Sequence, residues 1–197
     1  MTVALINAAG VVHRTERWDS PADDVDARVL EHAVSPVLDV GCGPGRHLRA
    51  LAERGLPALG VDITPGAVAR ARGHGVAVLR RCVFDRVPGA GRYRTVLLLD
   101  GNLGIGDDPV ALLRRCGELL APGGRVLVEV PPDDAGLESD RVRLMVGATP
   151  GPWFMWRDVT AFSIPALVAQ SEFAIAYAWR DCGRSFARLE RTTHCGS

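Results

Sequence analysis

The stretch PVLDVGCGPGRHL, residues 36–48, constrains this chain more than any other. A short apolar run ends in an acid, three glycines follow at every second position, and a helical pattern starts directly behind them. Glycine adopts positive φ without steric penalty and leaves no Cβ between backbone and ligand. The helix behind the loop offers unpaired N–H groups in its first turn. In an open α/β sheet, a junction of this kind lies beyond the carboxyl ends of the strands, where ligands bind.

The same rhythm continues to residue 130. PALGVD (57–62) reads as a second strand ending in an acid. TPGAVARARGHG reads as a helix with Thr64 as its cap and Pro65 at its first position. VAVLR (76–80), YRTVLLLD (93–100) and RVLVEV (125–130) read as further strands, and DDPVALLRRCGELLAPGG as a helix stopped at Pro122-Gly123-Gly124. Near-continuous apolar strands separated by helices predict a parallel sheet covered on both faces. Beyond Val130 the pattern breaks. Residues 131–157 read as a long irregular stretch, and DVTAFSIPALVAQ as one helix with Pro165 near its middle. FAIAYAWRD and RSFARLER alternate like two antiparallel strands. No linker or repeat divides the 197 residues, so one domain is expected. Within it, residues 1–33 form a helical N-terminal cover, 34–130 a cofactor-binding half and 131–197 an acceptor-side half.

Net charge narrows the partners. Formal charge is zero, which gives no general pull toward nucleic acid or an anionic membrane. The N-terminus lacks the basic leader and long apolar core of a signal peptide, and no run reaches the length of a membrane span. The five cysteines are widely spaced and form no CxxC pair, which argues against a disulfide framework or a structural zinc. A cytoplasmic chain is expected, monomeric or homodimeric, with a small molecule as its partner and no metal.

The loop itself separates nucleotide classes. A dinucleotide fingerprint needs a third glycine three places after the second, and Arg46 stands there. No GK[ST] follows, which excludes a Walker phosphate loop. Asp62 ends the second strand 17 residues after Gly45, where a carboxylate can accept from both hydroxyls of a ribose.

On these residues the chain resembles the class I S-adenosylmethionine-dependent methyltransferases. VLDVGCGPGRHLRALAERGLPALGVDITPGAVARAR resembles their donor site, and YRTVLLLDGN and LLRRCGELLAPGGRVLVEV resemble their later strands and helix. The resemblance implies a Rossmann-like seven-stranded, mostly parallel sheet with helices on both faces and an antiparallel last strand. It implies S-adenosyl-L-methionine as cofactor. Asp39 would orient the loop and the methionyl ammonium; Gly41, Gly43 and Gly45 would line the methionyl and ribose region. Asp62 would hold the ribose, and Ile63 would lie on the adenine. Val83 or Phe84 would pack on the ring, with Cys82 where the family usually places an acid, or Asp85 supplying that contact instead. Asp100, Gly101 and Asn102 would face the reaction centre. LLLDGNLG is not the [DN]PP[YF] signature of enzymes that methylate exocyclic amines of bases or glutamine.

Methyl transfer from a sulfonium is an in-line displacement, so alignment and exclusion of water carry most of the catalysis. Asn102 is the candidate to position an acceptor, and His13 the candidate base if the N-terminal segment folds over the site. His47, in the first helix, reads as a surface residue. Trp18, with Arg17, and Trp153, Phe154, Met155, Trp156 and Arg157 are candidates to clamp a flat or apolar acceptor. Together these features predict a methyltransferase acting on a small molecule. A non-catalytic methyltransferase-like partner subunit and a nicotinamide-dependent oxidoreductase are the alternatives. The absence of any Lys, and so of a Tyr-x-x-x-Lys pair, counts against the oxidoreductase.

Overall fold

The computed structural model describes residues 3–13, 17–130 and 139–192. In chain order these form β1 (Val3–Asn7), β2 (Val12–His13), α1 (Asp24–Leu30), β3 (Val37–Val40), α2 (Arg46–Glu53), β4 (Ala58–Asp62), α3 (Pro65–Gly73) and β5 (Val78–Arg80). β6 (Tyr93–Leu98), a 3-10 turn (Asn102–Gly104), α4 (Pro109–Leu119), β7 (Leu120–Val130), β8 (Asp140–Val146), β9 (Thr149–Trp156), α5 (Ile164–Ala169), β10 (Phe173–Asp181) and β11 (Arg184–Arg191) complete it.

The main sheet has seven strands in the order β10-β11-β7-β6-β3-β4-β5. β3, β4, β5, β6 and β7 run parallel, while β11 pairs antiparallel with both β7 and β10. This is the doubly wound, mostly parallel architecture expected. β3 lies at the point where the chain's winding reverses, with β4 on one side and β6 on the other. All four of its residues, Val37 to Val40, are buried. Ligand crevices in open α/β sheets form at this reversal.

Two layers of side chains cover the sheet. Leu112, Leu113, Cys116 and Leu119 of α4 pack with Val96, Leu98, Val126 and Val128 on one face. Val25, Val29 and Leu30 of α1 and Leu51 of α2 pack with Val37, Leu97, Leu127 and Phe186 on the other. Each fully buried Leu or Val of this kind stabilises the fold by about 1.5–3 kcal/mol. Among the described residues no helix is long and apolar enough to cross a membrane.

Four local expectations are corrected. The helical N-terminal cover is instead two strands followed by the short helix α1, whose Asp23 and Asp26 form a reciprocal capping box. The described part of the irregular stretch is instead a hairpin, with Val142 opposite Phe154 and Arg143 opposite Trp153. The helix expected around Pro165 is shorter, and that proline sits in its first turn, where its missing N–H does no harm. α4 also ends at Leu119, ahead of the Pro-Gly-Gly stop.

The corrected segments join into a second sheet, in the order β2-β1-β8-β9. Its apolar face (Val3, Leu5, Val142, Leu144 and Val146) packs on Ala67 of α3, flanked by Trp18, Phe154 and Trp156. Two glycines permit the close approach. A Cβ on Gly66 would lie 2.9 Å from Val146 Cβ, and one on Gly151 would lie 2.8 Å from Thr64 Cγ2. The second sheet thus forms a roof beside the carboxyl ends of β3 and β4.

Candidate functional site

The loop after β3 has three left-handed glycines, Gly41 (φ 69°), Gly43 (φ 53°) and Gly45 (φ 86°), and each is needed for a different reason. A Cβ on Gly41 would lie 2.7 Å from Ile105 Cδ1 and 2.9 Å from Asn102 Nδ2. A Cβ on Gly43 would meet nothing within 4 Å, so this backbone is bare toward open space. A Cβ on Gly45 would press on Ala71 and Val76 at 3.1 and 3.2 Å. Gly41 and Gly43 line the cavity beside the loop; Gly45 does not, and fits the start of α2 against α3 instead.

That cavity encloses about 940 Å³ with its open mouth included. One wall is the loop, with Asp62, Ile63, Cys82, Val83 and Phe84; the floor carries Asp100 and Asn102; the opposite wall is Leu5, Trp18, Leu144, Phe154 and Trp156. The roof rings meet at tilted contacts, Trp18 to Trp156 at 6.4 Å and Phe154 to Trp156 at 6.1 Å between centroids. Trp156 donates its indole N–H to Asp158 Oδ1 at 3.1 Å, which leaves the cavity its apolar ring surface. Ile105, Gly106 and Arg81 complete the rim.

Asp62 is anchored from both sides. Its Oδ2 accepts from the Gly43 N–H at 2.9 Å and its Oδ1 from the Thr64 N–H at 2.7 Å. Each oxygen keeps a second lone pair for a ligand hydroxyl. Burial raises its carboxyl above the usual range, and the Thr64 and Gly43 amides pull it back. Asp39 lies one layer beneath the loop, 1 % exposed and outside the cavity lining. Its Oδ2 is buried without a hydrogen-bond partner. Burial, with Asp100 and Asp62 nearby, pushes this carboxyl up to about 6.

The remaining candidates divide. Asn102 is buried, but its amide donates to Val40 O at 2.8 Å and to Gly41 O at 3.1 Å, so it clamps the loop to the end of β6. Asp100, at φ 57°, accepts two bonds from Arg46 Nη2 at 2.7 and 2.9 Å. Trp153 faces away from the cavity, under Arg143 at 4.6 Å and Arg141 at 5.7 Å. Arg157 also stands outside it, bonded to Ser139 Oγ at 3.0 Å and to Asp107 Oδ1 at 3.3 Å. Neither belongs to the pocket assigned from sequence. Asp85 does not line the cavity either. The side chain of His13 lies outside the described residues.

His47 was expected at the surface and is instead 3 % exposed. It belongs to a buried cluster that the sequence reading missed. Arg46 joins Asp26 to Asp100. Arg184 joins Asp26 to Glu129, at 2.8 and 2.7 Å, and the Asp100 N–H donates to Glu129 Oε2 at 3.0 Å. The helix periodicity of α2 pointed inward at Leu48 and Leu51, and Arg46 and His47 precede them on the turn that meets α1. The roof residues Leu5 and Leu144 were also missed, although Val142, Leu144 and Val146 alternate with Arg141, Arg143 and Met145.

Comparison with known proteins agrees with this geometry. Residues 37–124 match the Methyltransf_25 family, a methyltransferase domain. The chain is 33 % identical over 192 residues to a trans-aconitate 2-methyltransferase of Methylobacterium nodulans, covering 95 % of this chain and 72 % of that one. It is 36 % identical over 101 residues to a ubiquinone biosynthesis O-methyltransferase of Pseudomonas paraeruginosa, covering 47 % of this chain and 42 % of that one. In fold it is similar to a methyltransferase from Bacteroides fragilis crystallised with S-adenosyl-L-homocysteine. That likeness has a TM-score of 0.74 and 21 % identity, and covers 96 % of this chain and 87 % of that one. The chain belongs to the class I S-adenosylmethionine-dependent methyltransferases.

Proposed function

We propose that this protein transfers the methyl group of S-adenosylmethionine to a small, flat and largely apolar acceptor, held between the glycine loop and the aromatic roof. The observation that carries this reading is one continuous cavity. Bare loop backbone and an anchored carboxylate form one wall, and Trp18, Phe154 and Trp156 form the other.

The residues present fit the donor. Asp62 has free lone pairs for the ribose hydroxyls, Gly43 leaves room for close approach, and Ile63, Val83 and Phe84 give apolar surface for the adenine. The buried, unpartnered Oδ2 of Asp39 lends negative charge beneath the position of the methionyl ammonium. When bound, the sulfonium supplies an already activated methyl group. The chain's own work is then to align the acceptor with it and to exclude water. Trp156 and Phe154 do this by covering the cavity. Asn102 does it indirectly, because its two donated bonds fix the loop.

The roof also favours one kind of acceptor. Its rings and aliphatic side chains offer no partners to a polycarboxylate, and among the described residues Arg81 is the one cation in the lining. Cys42, Cys82, Cys116 and Cys182 are free thiols, which suits a cytoplasmic setting. The test is turnover with S-adenosylmethionine on a panel of phenols, heteroaromatic amines and polycarboxylates including trans-aconitate, read as methylated product by mass spectrometry. Methylation of the flat aromatic acceptors is expected. Preferred methylation of trans-aconitate would contradict the acceptor reading, and donor binding without turnover on any class would favour a non-catalytic subunit.

A further inference from the structure

His47 is a buried polar side chain that alignment and water exclusion do not call upon. Its ring stands between two carboxylates, with Nε2 3.6 Å from Asp26 Oδ1 and Nδ1 3.9 Å from Asp39 Oδ2. Both distances exceed hydrogen-bond length, and His47 Nε2 and Asp39 Oδ2 are buried without a hydrogen-bond partner. The contact is therefore one of charge.

Charge in the cluster does not balance without this ring. Asp26, Asp39, Asp100 and Glu129 face inward, against Arg46, Arg184 and the half-exposed Arg17. Asp23 flanks the cluster at its wet edge, and Asp62 adds negative charge from β4. An imidazolium offsets one of these uncompensated negative charges, at Asp39. Arg46 also lowers Asp39, but less than His47 does, and its guanidinium is bonded to Asp26 and Asp100.

We propose that His47 is a positioning residue for donor binding, supplying as an imidazolium the positive charge that balances the buried Asp39 carboxylate beneath the glycine loop. This rests on the donor site proposed above. Burial alone would lower the basicity of this ring and Arg46 opposes its charge, but Asp26, Asp39 and Asp100 outweigh both and raise it. His47 in turn holds Asp39 down against burial. An opposite charge within ~4–6 Å lowers a carboxylate by about 1–3 pH units. Without His47, Asp39 is left buried with like charges and takes up its proton nearer neutrality. Asp39 then no longer attracts the donor's ammonium through the loop.

The test is calorimetric titration of S-adenosylhomocysteine into the wild-type protein and His47→Gln across pH. A thermal melt of each at every pH shows that both are folded. The wild type should lose affinity only as Asp39 protonates, on the acid side of about pH 6. In His47→Gln that acid limb should move up by at least about one pH unit. For a shift of one unit the variant then binds about threefold more weakly than wild type near pH 6.5 and within about twofold near pH 8.5. A purely structural role would weaken binding equally at every pH. Equal weakening, or superimposable profiles, would overturn the proposal. Absence of binding by the wild type would instead overturn the donor site on which the proposal rests.

Discussion

Substituting Asp39→Asn isolates the electrostatic strain beneath the glycine loop. The wild-type carboxyl is fully buried, has an unpartnered oxygen and is raised from an ordinary 3.8 to about 6. Its folded-state value therefore lies above its unfolded-state value. Stability linked to this group is fully present below about pH 4 and is lost as pH rises through 6. The shift is about two units, and each unit corresponds to about 1.4 kcal/mol, so the loss between pH 4 and pH 7 is about 3 kcal/mol. The amide that replaces the carboxyl does not titrate. The variant carries its own packing and hydrogen-bond penalty, but that penalty is the same at both pH values. Urea denaturation of both proteins near pH 4 and near pH 7 gives four free energies. The variant's stability relative to wild type should improve by about 3 kcal/mol between the two conditions. Its affinity for S-adenosylhomocysteine near pH 7 should fall about tenfold, since a neutral amide no longer attracts the methionyl ammonium. A relative stability that is unchanged between the two pH values would refute the reasoning.

Gly41→Ala should destabilise the protein by about 1–3 kcal/mol and weaken donor binding, because a left-handed φ and a 2.7 Å clash with Ile105 coincide there; chemical denaturation and calorimetry read the two effects. Arg46→Met should cost about 3–5 kcal/mol in a denaturant melt, since it removes the bonded cation of Asp100 and leaves Asp26 only Arg184 as a bonded cation. Trp156→Ala should raise KM for an aromatic acceptor at least about tenfold while leaving S-adenosylhomocysteine affinity within about twofold. Steady-state kinetics paired with calorimetry separates those outcomes.

The parallel half of the fold was legible because its signals are local. VLDV followed by three glycines, Pro65 behind Thr64, and the apolar runs ending at Asp62 and Asp100 each declare a strand, a turn or a helix start within a few residues. The donor wall followed from the same spacing. The roof was less legible. Val142, Leu144 and Val146 carry a strand alternation, but their partner β1 lies at the other end of the chain, with Leu5 opposite Leu144. No local signal pairs segments so far apart. The PGPWFMW run looked like loop because of its prolines, yet β9 is the outer strand of its sheet, where proline is tolerated. The same blindness to distance misplaced Trp153, whose ring direction depends on register. His47 and Arg46 looked solvent-exposed because charged residues usually are. Their burial depends on acids supplied by α1, β7 and the turn after β6, which only the assembled fold brings together.

The central claim is that the cavity beside the glycine loop holds S-adenosylmethionine with Asp62 on its ribose. Calorimetric titration of S-adenosylhomocysteine and S-adenosylmethionine into the purified chain, beside Asp62→Ala and with NAD as a control ligand, tests it most directly. Saturable binding of both sulfur nucleosides is expected, with none of NAD, and a loss of at least about 1.4 kcal/mol of binding free energy in the variant, a tenfold drop. Wild-type affinity retained in Asp62→Ala would contradict the assigned site, and failure of the wild-type chain to bind either nucleoside would contradict the account as a whole.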